Sequence, residues 1–318
     1  MLRGAIIGFG AVAANGHWPA YAQSSEARIV AVVDRTKERR QAARELIPNI
    51  ETFAGLEKLE TDIDFIDICT PPAWHGESIR AALDRGWNVL CEKPLLLDPV
   101  ELETVRMLAN ESGRAVVPVH NWKYAPIVCR ATDALHAGTI GQLREIQIET
   151  LRIEDCAAVD PAHPNWRRDP TISGGGILMD HGWHAIYLAR HWFGEDPLEI
   201  GAELHRAANG VEDEARVTLN FPKGRATIFL TWRADRRGNT MRLTGDKGEI
   251  AIEDDTLKIG AEEIRFESAL SAGSHHADWF AAMLPNVFAS FRSPEIAQAA
   301  FDEAALCLSV IRRAYEIA

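Results

Sequence analysis

Cysteine is scarce in this chain, and so are other features that would mark a special class of protein. The five cysteines are odd in number and include no C-x-x-C pair, which favours a reducing compartment over a disulfide framework. They are Cys69, Cys91, Cys129, Cys156 and Cys307. No apolar run is long enough to cross a bilayer, and no charged and apolar leader precedes the first strand candidate. We therefore expect a cytoplasmic protein with no membrane partner.

Basic residues are fewer than acidic residues, and the formal net charge is -12. Nucleic-acid binding depends on contacts of lysine and arginine with phosphates, so we expect no nucleic-acid partner for a chain of negative net charge. The chain has 47% hydrophobic and 25% charged residues, without low-complexity tracts, which is typical of a soluble globular protein. Its 318 residues are more than one core usually serves, so two domains are expected.

The first third of the chain alternates short apolar strand candidates with helical patterns. The strand candidates are LRGAIIG, RIVAVVD, DFIDICTP, WNVLCEKP and RAVVPV. This alternation predicts β-α-β crossovers and a doubly wound parallel sheet of the Rossmann type, buried between two helix layers. We place this domain at residues 1–120.

The first strand runs into GFGAVA, a G-x-G-x-x-A spacing. Gly8 would permit the tight turn, Gly10 would let backbone approach a pyrophosphate, and Ala13 would keep helix and strand close. Asp34 ends the next strand, where it can accept hydrogen bonds from ribose hydroxyls, which indicates NAD. Arg35 follows directly and leaves NADP open, because an arginine there can accommodate a 2′-phosphate. The alternative is a doubly wound domain that binds no dinucleotide.

Two later strand ends add candidate cofactor residues, because ligands of open α/β sheets collect at the carboxyl ends of the strands. TPPAWH follows one strand and EKP follows the next. A lysine in EKP is either partnered in a site or a surface residue with its charge in water. The candidate cofactor residues are Gly8, Phe9, Gly10, Ala11, Val12, Ala13, Asp34, Arg35, Thr70, Pro71, Pro72, His75, Glu92, Lys93 and Pro94.

The second half, residues 121–318, shows the alternation of an antiparallel sheet with one covered face. Its strand candidates are QLREIQIETL, LEIGAELH, ARVTLNF, RATIFLTWR, TMRLTGDKGEIAIEDD and TLKIG. FPKG and GDKG predict hairpin turns. The closing FDEAALCLSVIRRAYEI predicts an amphipathic helix, which can pack back on the first domain.

A second glycine-rich motif, GGGILMDHGWHAIYLARHWFG, starts at Gly174 and leads into a helix. Asp180 and His184 are spaced i, i+4, so they share one face of that helix. The pair is interpreted either as a catalytic pair or as two polar residues of an ordinary surface helix.

In this order, GFGAVA, TPP with its histidine, EKP and GGG with Asp and His resemble the motifs of the Gfo/Idh/MocA family of oxidoreductases. The resemblance spans nearly the whole chain. It implies a Rossmann domain followed by an α/β domain with a large, mostly antiparallel sheet. It also implies NAD as cofactor, with NADP possible, no metal, and a homodimer or homotetramer formed through that sheet.

By this resemblance the catalytic group is Lys93, Asp180 and His184. His184 is assigned general acid/base catalysis, because an unperturbed imidazole has a pKa of ~6.5, close to neutral. Asp180 would orient the imidazole and accept a substrate hydroxyl. Lys93 would donate to the reacting oxygen, in a Lys93–Pro94 segment that is often cis in the family. The three glycines would let backbone approach cofactor or substrate.

The implied reaction is hydride transfer between a nicotinamide and a CH–OH group of a sugar or cyclic polyol, which includes inositol-like compounds, sugar acids and sugar phosphates. The candidate substrate residues are Lys93, Asn121, Trp166, Arg167, Asp180 and His184. One alternative is a redox-neutral NAD-dependent enzyme that cleaves glycosides or transfers hydride between sugars. Another is a non-enzymatic NAD(P)-binding regulator, although a regulator has no need of a proton-transfer pair.

The remaining polar residues receive structural interpretations. His17 is interpreted as a helix-end or cofactor-loop residue. Arg152, Arg233, Arg236 and Arg237 either recognise a carboxylate or phosphate or form a solvated, salt-bridged sheet edge. No zinc site is predicted, because the following residues have no compact ligand spacing: His75, His120, His163, His181, Cys156 and Asp180.

Overall fold

The computed structural model describes residues 1–154, 165–207, 210–273 and 276–318. Two units are compact by their internal contacts. Unit 1 contains residues 1–121 and 275–305, and unit 2 contains residues 122–274 and 306–318. No helix among the described residues has the length and apolar character needed to span a membrane.

Unit 1 contains a sheet of six parallel strands, which confirms the expected doubly wound fold. The strands are β1 Leu2–Ile7, β2 Ala27–Val33, β3 Glu51–Phe53, β4 Phe65–Ile68, β5 Asn88–Cys91 and β6 Val116–Pro118. Their order is β3-β2-β1-β4-β5-β6. Ile6, Ile66 and Leu90 are all fully buried, as expected for strands covered on both faces. The order reverses between β1 and β4, and ligands of such sheets bind outside that point.

Unit 2 contains an eight-stranded sheet that is antiparallel except for one parallel pair, which joins the strands at residues 143–151 and 224–231. The strands are β7 Leu143–Leu151, β8 Glu199–Arg206, β9 Glu212–Phe221, β10 Gly224–Thr231, β11 Gly238–Gly245, β12 Glu249–Glu253, β13 Thr256–Ile259 and β14 Glu262–Arg265. Their order is β14-β13-β12-β11-β7-β10-β9-β8. Buried Ile146 and Ile148 alternate with exposed Gln147 in β7, so one face is covered. The hairpins predicted at FPKG and GDKG join β9 to β10 and β11 to β12.

The helices connect many of these strands, and α4 has an expected capping residue at each end. They are α1 Trp18–Ala22, α2 Lys37–Leu46, α3 His75–Asp84, α4 Pro99–Ser112, α5 Pro126–His136, α6 Pro170–Ser173, α7 Trp183–Phe193, α8 Ala277–Ser290 and α9 Pro294–Ile317. Asp98 caps α4 by accepting a hydrogen bond from Val100 N at 2.9 Å, and Gly113 ends the helix with φ +63°. Both are expected termini. Shorter helical turns are Ala13–His17 and Leu178–Gly182, which are π-helical, and Leu56–Lys58, Pro72–Trp74, Asn121–Tyr124 and Trp166–Arg168, which are 3-10.

Candidate active site

The glycine turn after β1 brings the ends of two neighbouring strands together. Gly8 has φ +88°, and a Cβ there would lie 2.8 Å from the Thr70 side chain and 3.0 Å from the Thr70 nitrogen. Only glycine fits such a turn. Among the described residues no atom would lie within 4 Å of a Cβ on Gly10, so space remains beside that backbone. The helical segment then starts with Ala11, Val12 and Ala13. A tight turn with open backbone ahead of a helix fits the pyrophosphate of a dinucleotide.

Asp34 ties the glycine turn to the end of β2. Its Oδ2 accepts a hydrogen bond from Phe9 N at 2.8 Å, and its Oδ1 accepts one from Thr36 N at 2.7 Å. Arg39 is more distant, with Nη1 3.9 Å from Oδ2. Phe9 itself is buried. The carboxylate of Asp34 is therefore held in one orientation at the strand end.

The arginines that follow Asp34 contact protein groups. The Arg35 guanidinium lies 4.7 Å from the centre of the Trp74 ring. Arg40 Nη1 donates to the carbonyl oxygens of Asp34 at 2.6 Å and Arg35 at 2.9 Å. These contacts hold Arg40 on the backbone and Arg35 on an indole face.

His75 joins the segment after β4 to the segment after β5. It is fully buried, with Nε2 2.7 Å from the Thr70 oxygen and Nδ1 3.0 Å from the Pro94 oxygen. Burial lowers the pKa of His75, although its contacts with backbone carbonyls act in the opposite direction. Pro72 is buried beside it, and Pro71 is half-buried. The ring thus fixes these two segments against each other, and its contact with the cofactor stays a prediction.

The EKP segment is held by a buried histidine that sequence reasoning did not assign to it. The Lys93–Pro94 peptide bond is cis, as the resemblance implies. The backbone N–H of Lys93 donates to Glu92 Oε2 at 3.0 Å. The other carboxylate oxygen, Glu92 Oε1, lies 3.0 Å from His17 Nε2. His17 Nδ1 lies 2.8 Å from Asp67 Oδ2. These partners are 50 and 75 residues from His17 in sequence, so no local pattern indicates them.

Two of the three glycines of the second motif pack against protein groups. Gly174 ends α6 with φ +79°. A Cβ on Gly175 would collide with the Tyr315 hydroxyl, and one on Gly176 would collide with the backbone of Glu212. Glu212 Oε1 accepts hydrogen bonds from Gly176 N and from the Tyr315 hydroxyl, both at 2.9 Å. Gly175 and Gly176 thus give room to Tyr315 and Glu212, and the approach of cofactor or substrate to this backbone stays a prediction.

Asp180 lies in the π-helical turn Leu178–Gly182, directly before α7. Arg167 Nε is 3.5 Å from its Oδ2, and His181 Nε2 is 3.8 Å from the same oxygen. The Arg167 guanidinium also lies 4.2 Å from the centre of the Trp166 ring. The structure therefore brings three of the predicted substrate residues, Trp166, Arg167 and Asp180, into one chain of contacts.

His184 is buried in α7, and its ring is fixed by two aromatic residues. Its Nδ1 lies 2.9 Å from the Tyr187 hydroxyl. The Trp122 indole stacks on the imidazole, with centroids 4.8 Å apart and planes 18° apart. The backbone N–H of Trp122 donates to the Tyr187 hydroxyl oxygen at 3.2 Å. We expected Asp180 to orient this imidazole, and Tyr187 is an orienting partner that the i, i+3 spacing could have indicated.

The other polar candidates have separate positions. Asn121 is the last residue of the first segment of unit 1 and begins the turn Asn121–Tyr124. Arg152 is buried and donates to the carbonyl oxygens of Leu151 at 2.7 Å and Gly238 at 3.1 Å. Burial, and then the charge of Arg237, lowers the pKa of Arg152 to about 10. Arg152 therefore stabilises the sheet from a buried position and does not lie at a solvated edge. The other arginines of this group are exposed, namely Arg233, Arg236 and Arg237.

Three side chains that can ligate metals converge in unit 1. The ligand atoms of His17, Asp67 and Cys69 lie within 4.8 Å of one another. However, His17 Nδ1 and Asp67 Oδ2 are 2.8 Å apart, a hydrogen-bond distance, whereas two ligands of a tetrahedral zinc lie about 3.3 Å apart. Of the residues weighed for zinc from the sequence, His120 pairs with Glu303. His163 and Cys156 lie outside the described residues. His275, interpreted from the sequence as a surface residue, lies outside them too.

Unit 1 has the strand order, glycine turn and acidic strand end of a dinucleotide-binding fold, and unit 2 carries a carboxylate and an imidazole on one helix. Together these features define a nicotinamide-dependent oxidoreductase class. Residues 2–120 match the family model described as "Oxidoreductase family, NAD-binding Rossmann fold", and residues 128–251 match the "GFO/IDH/MocA C-terminal domain". The chain belongs to the Gfo/Idh/MocA family of oxidoreductases, and residues 2–120 form its NAD-binding domain.

Named relatives are distant. "Oxidoreductase P35" of Formosa agariphila is 30% identical over 60% of this chain and 60% of its own length. Inositol 2-dehydrogenase of Rhizobium meliloti is 26% identical over 79% of this chain and 76% of its own. The chain spans 56–60% of the length of the first relative and two others. A probable dehydrogenase from Thermotoga maritima shares the fold, with a TM-score of 0.84 at 20% identity over 99% of this chain and 96% of that one.

Proposed function

We propose that this protein transfers a hydride between NAD and a CH–OH carbon of a sugar or cyclic polyol. The observation that carries the proposal is the helix in unit 2, which holds Asp180 one turn before an imidazole fixed at Nδ1. A proton-transfer pair of this kind is needed for carbinol oxidation and not for NAD binding alone. The relative inositol 2-dehydrogenase supports a polyol as substrate class.

In the proposed reaction NAD supplies the hydride acceptor. His184 exchanges the hydroxyl proton at Nε2, because its Nδ1 is engaged with Tyr187. Asp180, next to the Arg167 guanidinium, accepts a hydrogen bond from a substrate hydroxyl. Lys93 donates to the reacting oxygen and stabilises the negative charge that develops there.

The substrate ring is assigned to Trp166 and Arg167. The indole and guanidinium are already stacked 4.2 Å apart, so an apolar face and planar donors are presented together. Such a surface suits a hydroxyl-rich ring, which needs flat contact and fixed hydrogen-bond donors.

NAD is proposed over NADP because the carboxylate of Asp34, at the end of β2, would repel a 2′-phosphate on the adenosine ribose. The Arg40 guanidinium already donates to two carbonyl oxygens, so it is less available to bind that phosphate. We expect tighter binding of NAD than of NADP in a fluorescence titration. Asp34→Ser should narrow or reverse that preference, and an unchanged preference would contradict this assignment.

Absorbance at 340 nm tests the activity directly. Purified protein is mixed with NAD or NADP and a panel of cyclitols, aldoses, uronates and sugar phosphates. We expect the reduced-cofactor band to grow with one class of substrate and to be lost in His184→Ala. A flat trace from protein with bound cofactor would favour the redox-neutral alternative, in which the cofactor ends each turnover oxidised.

The sheet of unit 2 is proposed as the surface where copies of the chain meet. Its exposed side chains include Arg216, whose guanidinium lies 4.1 Å from the centre of the Phe229 ring. Light scattering at micromolar concentration should show a dimer or tetramer, and Phe229→Glu should weaken it. A wild-type monomer at that concentration would reject the proposal.

A further inference from the structure

Two carboxylates in unit 1 are brought together by one histidine. Asp67, in β4, has a fully buried side chain, and Glu92, after β5, has a side chain that is 17% exposed. His17 lies between them, with Nδ1 2.8 Å from Asp67 and Nε2 3.0 Å from Glu92. Buried carboxylates are costly unless they are paired and hydrogen-bonded. His17 provides that pairing for both.

The ring of His17 is also held by packing. Its face stacks on Phe280 of α8, with centroids 3.8 Å apart and planes 19° apart. Its side chain is 3% exposed. The imidazole plane is therefore fixed by an aromatic ring and by a hydrogen bond at each nitrogen.

The cluster is a cation between two anions. Ionised carboxylates only accept hydrogen bonds, so the imidazole must donate from both nitrogens. Burial acts to lower the pKa of His17, but the charge and hydrogen bond of Asp67 raise it well above its ordinary value. Burial acts to raise the pKa of Glu92, but the hydrogen bond and charge of His17 lower it.

Two titratable groups near this cluster, Cys69 beside His17 and Tyr21 beside Asp67, add no charge to it. Cys69 Sγ lies 3.3 Å from Nδ1, and burial raises the pKa of this thiol to about 12. Burial also raises the pKa of Tyr21 well above 10, so its hydroxyl stays protonated. Neither group competes with the two carboxylates for the charge of His17.

We propose that His17 is a positioning residue, which fixes Lys93 by bridging the carboxylates of Asp67 and Glu92. The path is short: Asp67 holds His17, His17 holds Glu92 Oε1, and Glu92 Oε2 accepts the Lys93 N–H at 3.0 Å. Its consequence for catalysis rests on the proposed role of Lys93. The bridge itself involves only residues of unit 1.

Amide hydrogen exchange at Lys93 tests the bridge without using activity. His17→Gln keeps a polar side chain but cannot donate to both carboxylates as a cation. A hydrogen bond made by an ionised group is expected to protect by ~10-fold or more, so exchange at Lys93 should accelerate by that factor. His205→Gln is the matched control, because His205 contacts Asp213 at 2.7 Å in unit 2. It should leave exchange at Lys93 unchanged.

A double-mutant cycle with Lys93→Ala tests the consequence. We expect His17→Gln alone to lower kcat by ~10-fold with KM nearly unchanged, and to add no further loss in the Lys93→Ala background. A merely structural role would give losses that add. If His17→Gln does not fold, Glu92→Gln replaces it in both experiments.

The outcomes separate this inference from the proposed function. Unchanged exchange at Lys93, or fully additive losses in kcat, would overturn the positioning role. Stoichiometric metal in purified wild-type protein, lost in His17→Gln, would also overturn it, because a metal would then replace the bridging protons. If Lys93→Ala alone keeps normal kcat, the proposed function of Lys93 fails, and the exchange result still decides whether His17 holds this segment.

Discussion

His17 in unit 1 and His184 in unit 2 are both buried, and both have a hydrogen bond at Nδ1 and an aromatic ring against one face. Their partners differ in charge. His17 lies between two carboxylates, whereas His184 contacts the hydroxyl of Tyr187. A carboxylate pair stabilises an imidazolium, so His17 keeps its proton. A hydroxyl can donate or accept, so it fits an imidazole in either protonation state.

The difference fits the two roles proposed for these histidines. A histidine that must hold other groups in place needs a constant charge, and buried carboxylates supply the reason to keep it. A histidine that must exchange a proton needs a partner that tolerates both states. The four predictions below test this contrast.

The largest effect is expected from His184→Ala. Loss of a general acid/base typically costs ~100-fold or more in rate, so kcat should fall by at least that factor. Steady-state kinetics with the substrate found in the 340 nm panel measures it. His136→Ala, at an exposed position at the end of α5, is the control. A fall below tenfold in a folded protein would show that His184 does not transfer the proton.

His17→Gln should be the variant that changes the pH dependence of stability. Removing a charge-assisted bridge should cost about 2 kcal/mol of the free energy of unfolding near pH 6. Asp67 raises the pKa of His17 against the effect of burial, so the folded state keeps a proton that the unfolded chain loses near pH ~6.5. The contribution is therefore full below that pH and is lost as the pH rises through the folded pKa.

Urea unfolding of wild type and His17→Gln at pH 6 and pH 9 measures this gap. It should shrink as the pH rises. A gap that stays constant would mean that His17 contributes by packing on Phe280 rather than by charge, and the contrast with His184 would lose its first half.

Tyr187→Phe should have a smaller effect on the rate. It removes the hydroxyl that contacts His184 Nδ1 but keeps the ring, so the imidazole stays buried while losing one orienting hydrogen bond. One such bond is expected to be worth ~10-fold in kcat. The pH profile of kcat should shift as well, whereas the affinity for NAD should not. A variant with normal kcat and pH profile would assign the orientation of His184 to Trp122 stacking alone.

The sequence predicts the elements that carry strong patterns and misses those that do not. The five apolar strands of unit 1 and the alternating strands of unit 2 are found, but β3 and β14 are not. These two have three and four residues and are mostly polar edge strands, so neither periodicity nor apolar length marks them. Edge strands owe their conformation to the neighbour they pair with.

The residues of the candidate site also fall into a group that local motifs predict and a group that they do not. Gly8, Asp34, Lys93, Asp180 and His184 follow from motifs at strand and helix ends, where backbone requirements act locally. The groups that hold them in place do not. His17, Glu212 and Trp122 reach their partners over 34 to 103 residues of sequence, so only the folded chain brings them together. The sequence shows which residue types can form such contacts, but it does not show which residues meet.

The smallest effect is expected from His205→Gln, and it is the sharpest check on the role of burial. The contact of His205 Nδ1 with Asp213 is 2.7 Å, as short as that of His17 with Asp67. The His205 side chain, however, is 53% exposed, so water and salt screen the pair. Exposed pairs contribute about 0.5 kcal/mol or less, so the urea midpoint should hardly move at pH 6 or pH 9. If His205→Gln lowers the free energy of unfolding as much as His17→Gln does, distance alone sets the strength of these pairs. Burial would then add nothing to the strength of the bridge in unit 1.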